Sequence, residues 1–305
     1  MNLQIIFRKI WLRRTYLALG KAQINLALLS FFRKFAAVYV FYRRKKRIMK
    51  KRIVIKVGSN VLTRADGKLD VTRMSALVDQ IAWLRAHGYE IILVSSGAMA
   101  SGRGELKVTH DLDSVEQRQL YSAVGQGKLI GLYYDLFREF NIHIGQVLTM
   151  KENFQPGEQY ENQRACMTVM LENDVLPIVN ENDTVSVTEL MFTDNDELSG
   201  LIAQMMEADT LVLLSNIDGI YTGHPDDPSS EIIRSVAPGK DLSQYIKAEK
   251  SAFGRGGMHS KYTTASKVQS QGIRVIIANG ERENILIDLI EHKDYTPHTE
   301  FIPCN

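Results

Sequence analysis

The sequence predicts an α/β fold in which a mainly parallel sheet is covered by helices. Three observations lead there. From residue 52 onward, short runs rich in β-branched residues recur along the chain. Between them lie longer segments whose apolar residues repeat at helical spacing, the order that builds strand–helix–strand units. No internal repeat or low-complexity linker interrupts this pattern, so residues 49–305 read as one continuous domain.

The first strand is expected at Arg52–Val57, where Ile-Val-Ile-Lys-Val follows a basic start. Met74, Leu77, Val78, Ile81 and Leu84 then recur at three- and four-residue steps, which makes Thr72–His87 an amphipathic helix that Gly88 is placed to end. A second strand follows at Glu90–Val94, a helix at Ser114–Glu139 and a third strand at His143–Leu148. Tyr160–Glu172 reads as helix, and Leu176–Val179 and Thr210–Leu214 as strands. Met258–Ser270 is a helix stopping before Gly272, and Arg274–Ala278 is the last expected strand. Loop character gathers at Thr222–Ser230, with two prolines, and at the glycine-rich Ser251–Gly257.

Charge divides the chain. Residues 1–48 hold 12 of the 37 Lys and Arg and none of the 35 Asp and Glu, so residues 49–305 carry a formal −10. An acidic body argues against nucleic acid as a partner. In the basic segment the longest uncharged run, Ala22–Phe32, is eleven residues, well short of the about 20 needed to span a bilayer. A membrane-surface helix, an organelle presequence and a translated leader are the readings open to it. Met49-Lys-Lys-Arg ahead of the first strand resembles a cytoplasmic enzyme's own start, so residues 1–48 are expected to be a non-native or poorly ordered extension. Cys166 and Cys304 are the only cysteines, which supports no disulfide framework and fits a reducing, cytoplasmic setting.

Candidate chemistry sits where strands end. Lys56-Val-Gly-Ser-Asn60 closes the first strand, and a lysine beside a glycine at that place suits a phosphate, or else is an edge lysine reaching solvent. Val94-Ser-Ser-Gly-Ala98 closes the second, with Gly102 and Gly104 beyond; it offers an anion cradle or simple helix capping. Gly125-Gln-Gly-Lys128 lacks the glycine and the Ser/Thr of a P-loop. Gly254-Arg-Gly-Gly-Met-His-Ser-Lys261 opens a helix, and a lysine in a first turn is unfavourable unless an anion is near. Asn180-Glu-Asn-Asp-Thr-Val and Thr193-Asp-Asn-Asp-Glu-Leu-Ser-Gly fail the spacing of a calcium loop. Their mixed acids and amides would suit a ligand bearing both ammonium and carboxylate, although Asx turns and caps account for some of them.

Taken together, Lys56-Val-Gly-Ser, Ser95-Ser-Gly-Ala, Asn180-Glu-Asn-Asp, Thr193-Asp-Asn-Asp and Gly256-Gly-Met-His-Ser-Lys resemble the amino acid kinase family, in order and spacing, from Met49 to about Asn284. The resemblance implies a three-layer αβα sandwich, with the acid substrate over the N-terminal half of the sheet and ATP over the C-terminal half. The likeness is nearest to members that phosphorylate the side-chain carboxylate of L-glutamate, giving L-glutamyl 5-phosphate and opening proline biosynthesis. It implies that Lys56 and Lys261 neutralise the transferring phosphoryl group and that Asp196 holds them. Ser96, Asp183 and Asn195, with Asp194 nearby, match glutamate-binding positions. Lys56, Ser215, Asn216, Gly256, Gly257, Met258, His259, Ser260 and Lys261 match nucleotide-binding segments. Mg²⁺ would travel with ATP, its protein ligands undetermined. Homo-oligomerisation and inhibition by proline are further family expectations; hand-over to a glutamyl-phosphate reductase is expected from chemistry alone, because acyl phosphates hydrolyse.

Two departures stand out. Ser215-Asn216 replaces a common Thr-Asp and so loses a charge, and with the sequence ending at Asn305 no C-terminal PUA domain is expected. Alternatives are a kinase of the same fold acting on acetylglutamate, aspartate, carbamate or UMP, and a non-catalytic sensor of an amino acid or nucleotide.

Overall fold

The strand β1, Arg52–Val57, is buried along almost its whole length and pairs in parallel on both sides. It is flanked by β2 (Glu90–Ser95) and β5 (Thr210–Ser215). Beyond these lie β3 (His143–Thr149), β4 (Val175–Glu181), β6 (Ser235–Val236), β7 (Arg274–Asn279) and β8 (His298–Phe301), in the order β3-β4-β2-β1-β5-β7-β8-β6. Pairing is parallel from β3 to β7, while β8 runs antiparallel to β7 and β6 pairs in parallel with β8. This is a computed structural model describing residues 51–186, 192, 194–246, 257–291 and 293–304. The expected extension 1–48, Met49, Thr193 and the stretch 251–256 containing Gly254, Arg255 and Gly256 lie outside the described residues. Lys51–Asn305 forms one compact unit.

The helices are α1 (Ser59–Leu62), α2 (Val71–Ala86), α3 (Ala98–Glu105), α4 (Ser114–Arg138), α5 (Glu158–Glu172), α6 (Asn195–Met205), α7 (Met258–Gln269) and α8 (Ile285–Ile290). Strand pleating sorts them into two outer layers. Ile53, Ile55 and Val57 share a core with α2, α4 and α8, whereas Val54 points to the opposite core, built from α5, α6 and α7. The three-layer αβα sandwich follows. Each fully buried Ile or Val of β1 contributes about 1.5–3 kcal/mol by leaving water. Alternation also puts Lys56, two residues after Val54, on the α6–α7 side.

Every strand and helix expected from the sequence is present, with ends within two residues. Local signals explain the fit. Asp70 caps α2 by accepting from Arg73 N at 3.0 Å, and Gly88 beyond it has φ 90°. At α4, Asp113 accepts from Val115 N and Glu116 N while Glu116 accepts in return from Asp113 N, a reciprocal capping box.

The sequence reading missed α1, α3, α6, α8, β6 and β8. α3 reads Ala-Met-Ala-Ser-Gly-Arg-Gly-Glu, where two glycines argue against helix; packing on α4 overrides that propensity. α6 begins inside the acid-amide cluster, which had been considered for ligands. Its signature was nonetheless present: an Asp cap at 194, Glu197 three residues on, then Leu198, Ile202 and Met205. Among the described residues no helix is long and apolar enough to cross a membrane.

Candidate active site

Lys56, near the C-terminal end of β1, is only 5% exposed. Its ammonium lies 2.7 Å from Asp196 Oδ1. The other carboxylate oxygen of Asp196 accepts from Lys261 Nζ at 2.9 Å. A fully buried carboxylate in the first turn of α6 thus bridges two lysines from β1 and from the first turn of α7. Burial alone would push the Asp196 carboxyl up, but the two ammoniums outweigh it and hold its pKa below the usual carboxylate range. Burial pulls the Lys56 pKa down; Asp196 opposes this, and repulsion from Lys261 adds to it. Gly58 makes room for the arrangement, since a Cβ there would stand 3.0 Å from Lys56 Nζ.

The strand-to-helix turn after β2 supplies Ser96. Gly97 in that turn has φ 106°, a left-handed conformation that favours glycine, and a Cβ there would press on Leu69 at 3.1 Å. Ser95 points away and shares a 2.8 Å hydrogen bond with Tyr133 OH of α4; burial pushes that phenol up to about 12. Ser96 Oγ accepts from Asn195 Nδ2 at 2.8 Å, and the same nitrogen donates to Asn180 Oδ1 at 3.0 Å. Asn180 Nδ2 in turn donates to Gln126 Oε1 of α4 at 2.9 Å.

Asp194 is the N-cap of α6. Its Oδ1 accepts from Asp196 N and Glu197 N, so the capping alternative holds at this position; its Oδ2 is buried without a hydrogen-bond partner among the described residues. Asp183 meets Arg118 of α4, whose Nε and Nη2 lie 2.7 and 2.6 Å from Asp183 Oδ1. Nη2 also lies 2.8 Å from Glu181 Oε2.

These groups line a cavity of about 1310 Å³ beyond the C-terminal ends of the strands. Lys56, Ser96, Asn180, Asp183, Asp194 and Asn195 line one part of it, and Ser215, Asn216, Gly257, Met258 and Lys261 another. Asp196 sits behind the two lysines. His259 and Ser260 share the first turn of α7 but do not line the cavity, and Gly256 is outside the described residues. Arg118, Glu181 and Gln126 were missed as functional candidates. Within its helix Arg118 sits among Glu116, Gln117 and Gln119 and reads as part of a solvated face; only topology brings it to the end of β4.

A family model described as the amino acid kinase family matches residues 51–279. The glutamate 5-kinase of Bacteroides thetaiotaomicron is 67% identical over 252 residues, covering 83% of this chain and 70% of that protein. That of Chlorobaculum tepidum is 47% identical over 237 residues, covering 77% and 65%. The chain therefore spans about two thirds of the length of these curated relatives. The glutamate 5-kinase of Symbiobacterium thermophilum, 40% identical, is covered over 92% of its length. Among solved structures, carbamate kinase from Giardia lamblia bound to AMP-PNP superposes with a TM-score of 0.60 at 17% identity, over 84% of this chain and 99% of that one. UMP kinase from Ureaplasma parvum gives 0.57 at 19%, over 83% and 99%; at such identities the likeness speaks for the fold alone. With the family match spanning Lys56, Asp196 and Lys261 together, the chain belongs to the amino acid kinase family.

Proposed function

We infer that the chain transfers the γ-phosphoryl group of ATP to the side-chain carboxylate of L-glutamate, giving L-glutamyl 5-phosphate and ADP, the first step of proline biosynthesis. The observation that carries this reading is the buried Lys56–Asp196–Lys261 bridge between an acid-amide pocket and a nucleotide-type segment, in a chain 67% identical to a protein named glutamate 5-kinase.

A glutamate side chain has a pKa of about 4.3 and is already ionised at neutral pH, so the nucleophile requires no general base. Its oxygen bonds to the γ-phosphorus while the bond to the β–γ bridging oxygen breaks, and that electron pair leaves with ADP. The protein's task is positioning and charge stabilisation. Lys56 and Lys261 take the charge of the transferring group in surroundings where water is scarce, which strengthens the interaction. Asp196 holds the two like charges in place. Asp183, Asn195, Ser96 and Asp194 are assigned to glutamate, and Ser215, Asn216 and residues 256–261 to the nucleotide.

Mg²⁺ would supply further neutralisation of the phosphates. Three of the acids lining the cavity are engaged in part or whole: Asp194 caps α6 through Oδ1, and Glu181 and Asp183 pair with Arg118, with Asp194 Oδ2 left over. Such a donor set fits a metal ion held chiefly by phosphate oxygens. Homo-oligomerisation, inhibition by proline and a cytoplasmic location are proposed on family likeness. Hand-over to a glutamyl-phosphate reductase is proposed on chemistry, because acyl phosphates hydrolyse and this one can also cyclise.

ADP release measured side by side with glutamate, acetylglutamate, aspartate and UMP tests the acceptor. Glutamate is expected to give the highest rate, and a rate with another acceptor but none with glutamate would overturn the reading. Lys261→Ala is expected to lower kcat by about 10²–10³-fold with the KM for glutamate little changed. Steady-state kinetics showing unchanged turnover would remove the role given to Lys261.

A further inference from the structure

Asp183 and Asn195, two of the residues assigned to glutamate and the natural acceptors for its ammonium group, are gripped from behind by α4, at two points that the reaction itself does not use. The first is Arg118, 7% exposed, whose single positive charge lies between Glu181 and Asp183. Glu181 is committed elsewhere: its Oε1 accepts from Ser186 Oγ at 2.6 Å and from Phe192 N at 3.0 Å. Its side chain is 1% exposed, against 14% for Asp183. Of these two carboxylates, both of which line the cavity, Asp183 is the more exposed. Among the described residues they share one cation, a net charge of −1. That is the charge an ammonium group requires.

The second grip lies about 12 Å farther along the helix, at Gln126. Its Oε1 accepts from Asn180 Nδ2, so the Asn180 carbonyl oxygen faces Asn195. Asn195 Nδ2 then donates to both Asn180 and Ser96, leaving Asn195 Oδ1 as the acceptor of that amide. Neither asparagine fixes this direction alone, because either amide would fit its space turned over. Gln126 supplies the oxygen that this direction requires.

We propose that Arg118 and Gln126 are positioning residues that set the net charge and the amide direction of the ammonium-binding group. The proposal rests on the reading of this cavity as a glutamate site. A group acting only on ground-state binding changes KM and leaves kcat alone.

The test is steady-state kinetics on folded variants of the whole chain. Arg118→Met is expected to raise the KM for glutamate about tenfold or more, with kcat within about threefold and the KM for ATP unchanged. Arg118→Lys restores the charge without the fork and is expected to recover part of the loss. Gln126→Leu is expected to raise the glutamate KM roughly three- to tenfold, and Gln126→Glu, which keeps the acceptor, to restore it. A merely structural role would lower the amount of active enzyme and leave KM where it was. If Arg118→Met does not fold, the half-buried Gln126 pair decides, and an unchanged KM in Gln126→Leu overturns the proposal. A wild-type rate with glutamate but unchanged KM in both variants overturns this proposal alone. No wild-type rate with glutamate overturns the glutamate reading and this proposal with it.

Discussion

Asp196→Asn is expected to lower kcat by about 10²–10³-fold while glutamate still binds. The substitution keeps the shape of the side chain and removes the charge between Lys56 and Lys261, at 2.7 and 2.9 Å. Two buried ammoniums then face each other with their bridging counter-charge gone and Asp194 the weaker one left beside Lys56. Removing one partner of a buried ion pair costs about 3–5 kcal/mol. Loss of stability alone would be an ambiguous result, so two further readouts separate positioning from folding. Nucleotide phosphates supply the missing negative charge, so ADP is expected to raise the melting temperature of the variant more than that of the wild type. Lys56 already has a lowered pKa because of its burial, and Asp196, more than Asp194, opposes the shift. Without Asp196 that pKa falls further and the lysine loses its proton more readily. Residual kcat in the variant is therefore expected to rise as pH is lowered, as long as the substrate carboxylate stays ionised above about pH 4.3. A kcat within tenfold of wild type, or an equal response to ADP, would remove Asp196 from its role.

Much of the scaffold behind that site was legible because it is local. Six parallel strands are short β-branched runs, and α2 announces itself by the stripe Met74, Leu77, Val78, Ile81 and Leu84. The bridge is different in kind. Lys56 and Asp196 are 140 positions apart in the sequence, and nothing in their own surroundings says that one carboxylate serves both lysines. Motif order in the family suggested it; strand pleat and the start of α6 explain it. Asp194 shows the two levels at once: family likeness put it beside the glutamate positions, and the fold makes it both the cap of α6 and a cavity residue. Arg118 and Gln126 were illegible for the same reason. Their partners come from the end of β4, 54 or more residues later, and mid-helix polar residues otherwise belong to water. The glycines near the site were read for ligands, and at two of them the reason is packing between helices.

Gly125→Ala is expected to destabilise the protein by about 3 kcal/mol or more, or to prevent folding, although it places a better helix former within α4. A Cβ at Gly125 would lie 1.8 Å from Ala98 O and 2.4 Å from Gly102 N, and one at Gly102 would lie 1.9 Å from Tyr121 O. These are backbone atoms of the facing helix, so no side chain can swing aside; α3 and α4 would have to separate. Both helices hold pieces of the site: α3 follows the Ser96–Gly97 turn, and α4 carries Arg118 and Gln126. Separation is thus expected to raise the glutamate KM in whatever fraction folds. The control is Gly127→Ala, two residues along the same helix, where an added Cβ meets nothing within 4 Å. Freed of any clash, that change is expected to stabilise by about 0.5–1 kcal/mol through helix propensity. Urea unfolding of both variants reads the difference directly, with opposite signs expected from the same chemical substitution. Equal or greater stability in Gly125→Ala would mean that the two helices do not rest on each other at this glycine pair, and the account of why α3 is helical at all would fall with it.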